Sequence, residues 1–132
     1  LTVNQNAAFN LSSMTVRYIK GESDARPWGA WEVLDTGDRH AVKKISVQPG
    51  QQISLQVHQQ RDEHWIVVAG KGEVTLDDKV HPAAVSDHIQ ISAGQKHRIT
   101  NNGRNALVLI EVQLGDDLSE SDITRLDDSY GR

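Results

Sequence analysis

The stretch GQQISLQVHQQRDEHWIVVAG, from Gly50 to Gly70, decides how this chain folds. Gln56 and His58 are two residues apart, so on a β-strand both side chains point to one face. Gln59-Gln60-Arg61-Asp62 reads as a short turn, and the β-branched run EHWIVVAG that follows reads as the next strand of a hairpin. Such a hairpin brings Gln56, His58 and Glu63 together, and His97 offers a fourth ligand further along the chain. Two neutral ligands and one carboxylate, joined by a later His, suit a divalent first-row metal.

Outward from this stretch the strand signals continue. The segments at 30–35, 40–47, 53–58, 64–69, 73–76, 88–91, 96–100 and 106–113 all read as short strands. Turn signals such as Pro49-Gly50, Asp77-Asp78, Ala93-Gly94 and Asn101-Asn102-Gly103 separate them. Many short strands at this spacing mean an antiparallel sandwich or barrel, hence an all-β fold. MTVRYIK (14–20) reads as a strand after a polar arm, and GESDARPWG (21–29) as a loop. LSESDITRLDD (118–128) reads as one short C-terminal helix, with Ser119 or Ser121 as N-cap and Asp122 in the first turn.

The bulk numbers narrow the function classes. A chain of 132 residues fits one domain, divided here into an N-terminal arm and strand (1–25) and a barrel domain (26–132). Such a length buries about two-thirds of the unfolded surface without staples. Cysteine is absent, which excludes disulfides and thiolate metal sites. The net charge is −4 with both signs interspersed, and no basic stripe marks a nucleic-acid binder. No apolar run approaches a membrane span and no signal peptide is visible, so a cytoplasmic setting is expected.

Strand register points to further candidates. In AVKKISV the set Ala41, Lys43, Ile45, Val47 is apolar except for Lys43. If that set faces inward, Lys43 is a buried ammonium in need of a partner; otherwise it snorkels to solvent from a strand end. In IEVQ, Glu111 and Gln113 share one face. If that face is interior, Glu111 is a candidate base; if not, Ile110 and Val112 fill the core. His40, His81 and His88 lack partners at ligand spacing and read as surface residues.

The pattern formed by Gly50, Gln56, His58, Glu63 and Gly70 resembles the first cupin motif, with Gln in place of its first His. Gly94-Gln95-Lys96-His97 followed by Asn101 resembles the second. The joint presence of RPWG, SLQVH, EHW, HR and YGR resembles the type II phosphomannose isomerases more closely still. It is similar in particular to the C-terminal domain of the bifunctional phosphomannose isomerase/mannose-1-phosphate guanylyltransferase, from about Arg26 to Arg132. No Gly-rich nucleotide-binding loop is visible, so the isomerase part is expected to stand without a guanylyltransferase domain. Two positions depart from the family: Gln60 stands where relatives commonly carry a His, and Ser92 replaces the Pro of the second motif.

The resemblance implies a cupin, a double-stranded β-helix of jelly-roll type. It also implies a metal-dependent isomerase that interconverts mannose 6-phosphate and fructose 6-phosphate through a cis-enediol. Gln56, His58, Glu63 and His97 are the implied ligands, with Zn2+ as first choice and Mn2+, Fe2+ or Co2+ as alternatives. Lys43, Arg98 and Arg132 are candidates for the phosphate, and Lys43, His64, Arg98 and Glu111 for acid–base work. Strict alternation turns Arg98 and His64 away from the metal, and Arg132 is either a phosphate ligand in a folded-back YGR or a frayed end. Trp28 either stacks on the sugar or belongs to core or dimer interface. A homodimer sharing N-terminal strands is expected, with a phosphorylated sugar as ligand and neither nucleic acid nor membrane as partner. Gln60 in place of His favours an alternative, a non-catalytic cupin that holds a metal and binds sugar. An oxygenase fits less well, since iron oxygenases usually use two His and one carboxylate.

Overall fold

The computed structural model describes residues 17–130. These form eleven strands: Ser23–Arg26 (β1), Gly29–Thr36 (β2), His40–Val47 (β3), Leu55–Val57 (β4), Arg61–Ala69 (β5), Lys71–Leu76 (β6), Lys79–Ala84 (β7), His88–Ile91 (β8), His97–Thr100 (β9), Leu107–Gly115 (β10) and Thr124–Asp127 (β11). One antiparallel sheet runs β1-β2-β3-β10-β5-β8, the other β11-β4-β9-β6-β7. The sheets bury one core, with Val47, Ile91, Ile99, Leu107 and Leu109 fully out of solvent.

The expected register of β3 is the observed one. Ala41, Lys43, Ile45 and Val47 are all buried, while His40, Val42, Lys44 and Ser46 are not. On β10 the inward set is Leu107, Leu109, Glu111 and Gln113, so the polar pair lies inside and Ile110 and Val112 sit half-buried on the outer face. Pro82 is tolerated in β7 because this strand lies at the edge of its sheet.

Four expectations need correction, the first being the loop at 21–29, which contains β1 paired with β2. The stretch from Gly50 to Gly70 is not a hairpin: β4 and β5 belong to different sheets, and the chain crosses between them at Gln59-Gln60. The C-terminal helix is replaced by a single 3-10 turn, Glu120–Asp122, and by β11. The capping side chains are engaged elsewhere: the Ser119 hydroxyl donates to Asp117, and the Asp122 carboxylate accepts the backbone N–H groups of Gln59 and Gln60. Pairing of β11 with β4 then satisfies the backbone that a helix would have satisfied internally. Lastly, the strand expected at 14–20 has no counterpart in its described residues, 17–20, and the remainder of the arm lies outside the described residues.

Two motif residues act on the backbone. Gly70 has φ +76 between β5 and β6, and an added Cβ would lie 2.4 Å from the Ala106 carbonyl oxygen. Asn101, fully buried, donates from Nδ2 to the carbonyls of Val47 (2.8 Å) and Asn105 (2.9 Å) and accepts from the Gly103 N–H. Asn101→Ala strands these buried groups, and a loss of about 2–3 kcal/mol is expected. Urea unfolding checks this; an unchanged midpoint would show that water replaces the amide without cost.

Candidate metal centre

The crossing between sheets is what assembles the site. His58 follows β4 and His97 opens β9, both in one sheet, while Glu63 stands on β5 of the other. All three are buried, and one ligand atom of each lies within 4.8 Å of the other two. The rings are aimed by their far nitrogens. Nδ1–H of His58 donates to the Arg61 carbonyl (3.1 Å), and Nδ1–H of His97 donates to the Gln95 carbonyl (3.0 Å). With the proton on Nδ1, each Nε2 presents a lone pair inward, the orientation that backbone carbonyls give to metal-binding imidazoles.

Neither Nε2 has a hydrogen-bond partner, though both are buried. His58 Nε2 lies 3.0 Å from Glu63 Oε2 and His97 Nε2 4.0 Å from Oε1, close approaches that lack hydrogen-bond geometry. Two imidazoles and a carboxylate converging in a dry interior call for a cation among them, either a metal ion or a proton on His58. Burial works against a charged His58 ring, but Glu63 outweighs it and raises the ring above its ordinary pKa. The donor set therefore fits a divalent metal ion. Burial pushes the His97 ring below its ordinary pKa and keeps it neutral, as a ligand must be. Burial also works against the charged form of Glu63, but His58, His97 and Arg61 outweigh it and hold the carboxyl well below the usual range.

Gln56, the fourth expected ligand, pairs with His97 across β4 and β9 and borders the pocket beside Glu63. Its Nε2 donates to Ser54 Oγ (2.9 Å), which leaves the amide oxygen free to accept. His97→Ala is expected to lower bound metal from about one ion per chain to near zero. Elemental analysis of the purified variant checks this, and retention of metal would remove His97 from the essential ligands.

Glu63 of the cluster lines a pocket formed by residues of both sheets, while His58 and His97 are fully buried and do not line it. Lys43 is buried in its wall, with Nζ 4.5 Å from the ring centres of both Tyr18 and Trp31. Glu111 is 3% exposed and accepts a hydrogen bond from Gln113 Nε2. Burial, reinforced by the negative charge of Glu63, pushes its carboxyl up to about 7 despite Lys43 and Arg61. Trp28 also lines the pocket and is 6% exposed. The inner cavity has a free volume of about 40 Å3, room for a few waters, and the depression with its solvent-facing mouth measures about 480 Å3.

Not every candidate reaches this pocket. His64, a candidate for acid–base work, stands on the outer face, its Nδ1 2.9 Å from Nε2 of His88 with the rings stacked; His88 is the surface residue expected, though paired. Arg98 also faces outward: its Nε donates to the Ile53 carbonyl (2.9 Å) and its Nη2 to Asp127 (3.0 Å), tying β11 to the sheet. Alternation along each strand explains both, since each follows an inward ligand directly. Arg132 lies outside the described residues. Gln60 is exposed and does not line the pocket, so the departure from the family pattern falls on the crossing turn, away from the inward-facing groups.

Several pocket residues have no counterpart among the sequence candidates, Arg61 foremost. Arg61 is 2% exposed, donates from Nε to Glu63 (3.1 Å) and from Nη1 to the Ser119 carbonyl (2.7 Å). Trp65 Nε1–H donates to the other Glu63 oxygen (3.0 Å). Arg61, Glu63 and Trp65 share one face of β5, so starting that strand at Arg61 instead of His64 would have exposed the triad.

Two antiparallel sheets closed over an inward His–Glu–His cluster define a cupin. Solved structures of low sequence similarity share the fold. The cupin domain of Cnp3 from Schizosaccharomyces pombe is 17% identical with a TM-score of 0.64, covering 66% of this chain and 64% of that one. The capsular polysaccharide assembling protein CapF from Staphylococcus aureus is 25% identical with a TM-score of 0.67, covering 80% of this chain and 34% of that one. The family described as mannose-6-phosphate isomerase C-terminal matches residues 12–128, and the chain belongs to that family. Similar relatives include xanthan biosynthesis protein XanB of Xanthomonas campestris, 50% identical over 81% of this chain and 23% of that protein. Alginate biosynthesis protein AlgA of Pseudomonas aeruginosa is 48% identical over 81% of this chain and 22% of its own length. A mannose-1-phosphate guanylyltransferase of Escherichia coli is 45% identical with the same coverage. The chain thus spans less than a quarter of the length of these curated relatives. Among the described residues no helix is long and apolar enough to cross a membrane.

Proposed function

We propose that this chain is a metal-dependent sugar-phosphate isomerase that interconverts mannose 6-phosphate and fructose 6-phosphate. The observation that carries the reading is the pair of partnerless, buried Nε2 atoms close to Glu63, a carboxylate that lines a pocket together with Glu111. Membership of the mannose-6-phosphate isomerase C-terminal family, and the mannose phosphate chemistry in one relative's name, support the choice of substrate. A divalent ion, zinc by the donor set, held by His58, Glu63 and His97 with Gln56 as fourth ligand, would polarise the sugar carbonyl as a Lewis acid.

The chain's own groups do the rest. Glu111 takes the proton from C2 of the aldose and returns it to C1, while a second proton passes between the two sugar oxygens, so the change is isomeric and consumes nothing. A carboxyl pushed up to about 7 is near the optimum for a base that must also give its proton back. Arg61 holds Glu63 in place and ionised, and Trp28 offers an indole face to the sugar ring. Because the base must be unprotonated, kcat/KM is expected to rise with pH through about 7. A flat acid limb would move the base elsewhere.

The competing reading, a non-catalytic sugar-binding cupin, drew its support from Gln60, and that residue stands outside the pocket. The test is formation of fructose 6-phosphate from mannose 6-phosphate by protein loaded in turn with Zn2+, Mn2+ and Co2+. No turnover with any of them would favour the binding module. A homodimer remains part of the proposal; sedimentation at micromolar concentration showing only monomer would remove it.

A further inference from the structure

The isomerase reading requires a seat for a phosphate dianion, and the placement of that seat rests on the same reading. A carboxylate stands at the pocket mouth among cations. Glu120, on the 3-10 turn, accepts a hydrogen bond from the Tyr18 hydroxyl (2.6 Å). Lys43 Nζ lies 3.7 Å from its Oε2, and Arg26 Nη2 and Arg125 Nη2 lie 3.7 and 3.9 Å from its Oε1. These cations, Lys43 first among them, hold the carboxyl below its usual pKa against the effect of burial.

Two features of this arrangement are odd for a structural ion pair. None of the three cations comes within the roughly 2.7–2.9 Å of a charge-assisted hydrogen bond. They surround Glu120 at a standoff that would suit a larger, tetrahedral anion with three oxygens. The charges also do not balance: Arg26 has a second partner in Asp24 (2.9 Å), but Lys43 and Arg125 pair with no other acid among the described ion pairs.

The backbone beneath is fixed. Asp122 holds the crossing turn, Ser119 accepts from Arg61, and Leu118 is 2% exposed. The Glu120 side chain is half-buried and tied tightly by one hydroxyl alone, so it can rotate out without moving the segment.

We infer that Glu120 is an internal placeholder for the phosphate of the substrate: its carboxylate occupies a seat built by Arg26, Lys43 and Arg125, and a phosphomonoester displaces it. In the free protein the carboxylate keeps three like charges together. During binding it acts as a filter, because a doubly charged phosphate can replace it and a neutral sugar cannot.

Calorimetric titration with inorganic phosphate tests this in wild type, Glu120→Gln and Arg125→Ala. Glu120→Gln keeps the shape and removes the competing charge, and about tenfold tighter phosphate binding is expected; Arg125→Ala should weaken it by a similar factor. Equal or weaker binding by a folded Glu120→Gln protein overturns the inference. If that variant does not fold, the wild type decides: the Glu120 side-chain carboxyl carbon signal should shift as phosphate is added, and a signal unmoved at saturation overturns the proposal. Phosphate binding needs no turnover. Tighter binding by Glu120→Gln without isomerisation would keep the seat and sink the isomerase, while turnover with unchanged phosphate affinity would do the reverse.

Discussion

Glu63→Ala is expected to cost the protein both its metal and much of its stability. The carboxylate is the charged member of the ligand cluster, and it is also the partner of the buried Arg61. Its removal leaves a guanidinium that is 2% exposed facing an empty acceptor site, with Trp65 Nε1 unpartnered beside it. Breaking a buried pair from one side typically costs about 3–5 kcal/mol. Urea unfolding with elemental analysis on the same sample checks both effects. Glu63→Gln separates them, since it keeps an acceptor for Trp65 and the volume, and removes the charge. It should retain more stability than the alanine variant and still lose the metal. Full metal occupancy in Glu63→Gln would mean that the ion is not held by this carboxylate.

Glu111→Gln is expected to split activity from stability. Removing a positioned base lowers kcat by roughly 10²–10⁴-fold. The fold should respond in the opposite direction. The carboxyl is raised from 4.5 to about 7 in the folded protein, so between those values the native state keeps a proton that the unfolded chain has released. Stability from this group is therefore present below the unfolded pKa and lost as pH rises through the folded one. Glutamine carries no such loss. The variant should gain over wild type as pH rises, by on the order of 3 kcal/mol at about pH 8. Thermal or urea unfolding across the range reads the gain directly. A variant less stable than wild type at every pH would show that the ionised carboxylate is an asset to the fold.

That trade explains why the register of β10 could not be settled from its sequence. Both faces of LVLIEVQLG carry apolar residues, so alternation alone leaves two registers open. The set with Glu111 and Gln113 turned inward because the pocket end of the barrel is polar. Ile110 and Val112 could remain on the outer sheet face, half-buried by their neighbours. On β3 the opposite face carries Lys44 and Ser46, so the inward placement of Lys43 was legible despite its charge. β1 and β7 escaped notice for a related reason: both are edge strands, mostly exposed, without a buried apolar face to leave a pattern.

The metal cluster was legible because its three residues sit at spacings that strand alternation and a crossing turn make meaningful. The wrong element was the hairpin, since a short connection between two strands does not say whether they pair or face each other across the barrel. Glu120 and Arg125 left no signal. Glu120 stands on a 3-10 turn that alternation does not describe, Arg125 on β11, a strand without a buried face, and helical patterning in 118–128 pointed to another structure. Tyr18 and Arg26 belong to the same class, drawn in by tertiary packing.

The most direct measurement is a metal titration followed by turnover. Protein stripped with a chelator is given increasing divalent metal while fructose 6-phosphate formation from mannose 6-phosphate is recorded. The predicted result is no activity at the start, a linear rise, and saturation at one equivalent per chain, abolished in His97→Ala. Full activity in the stripped protein, or turnover that rises equally in the His97 variant, would contradict the assignment of His58, Glu63 and His97 as the working metal centre.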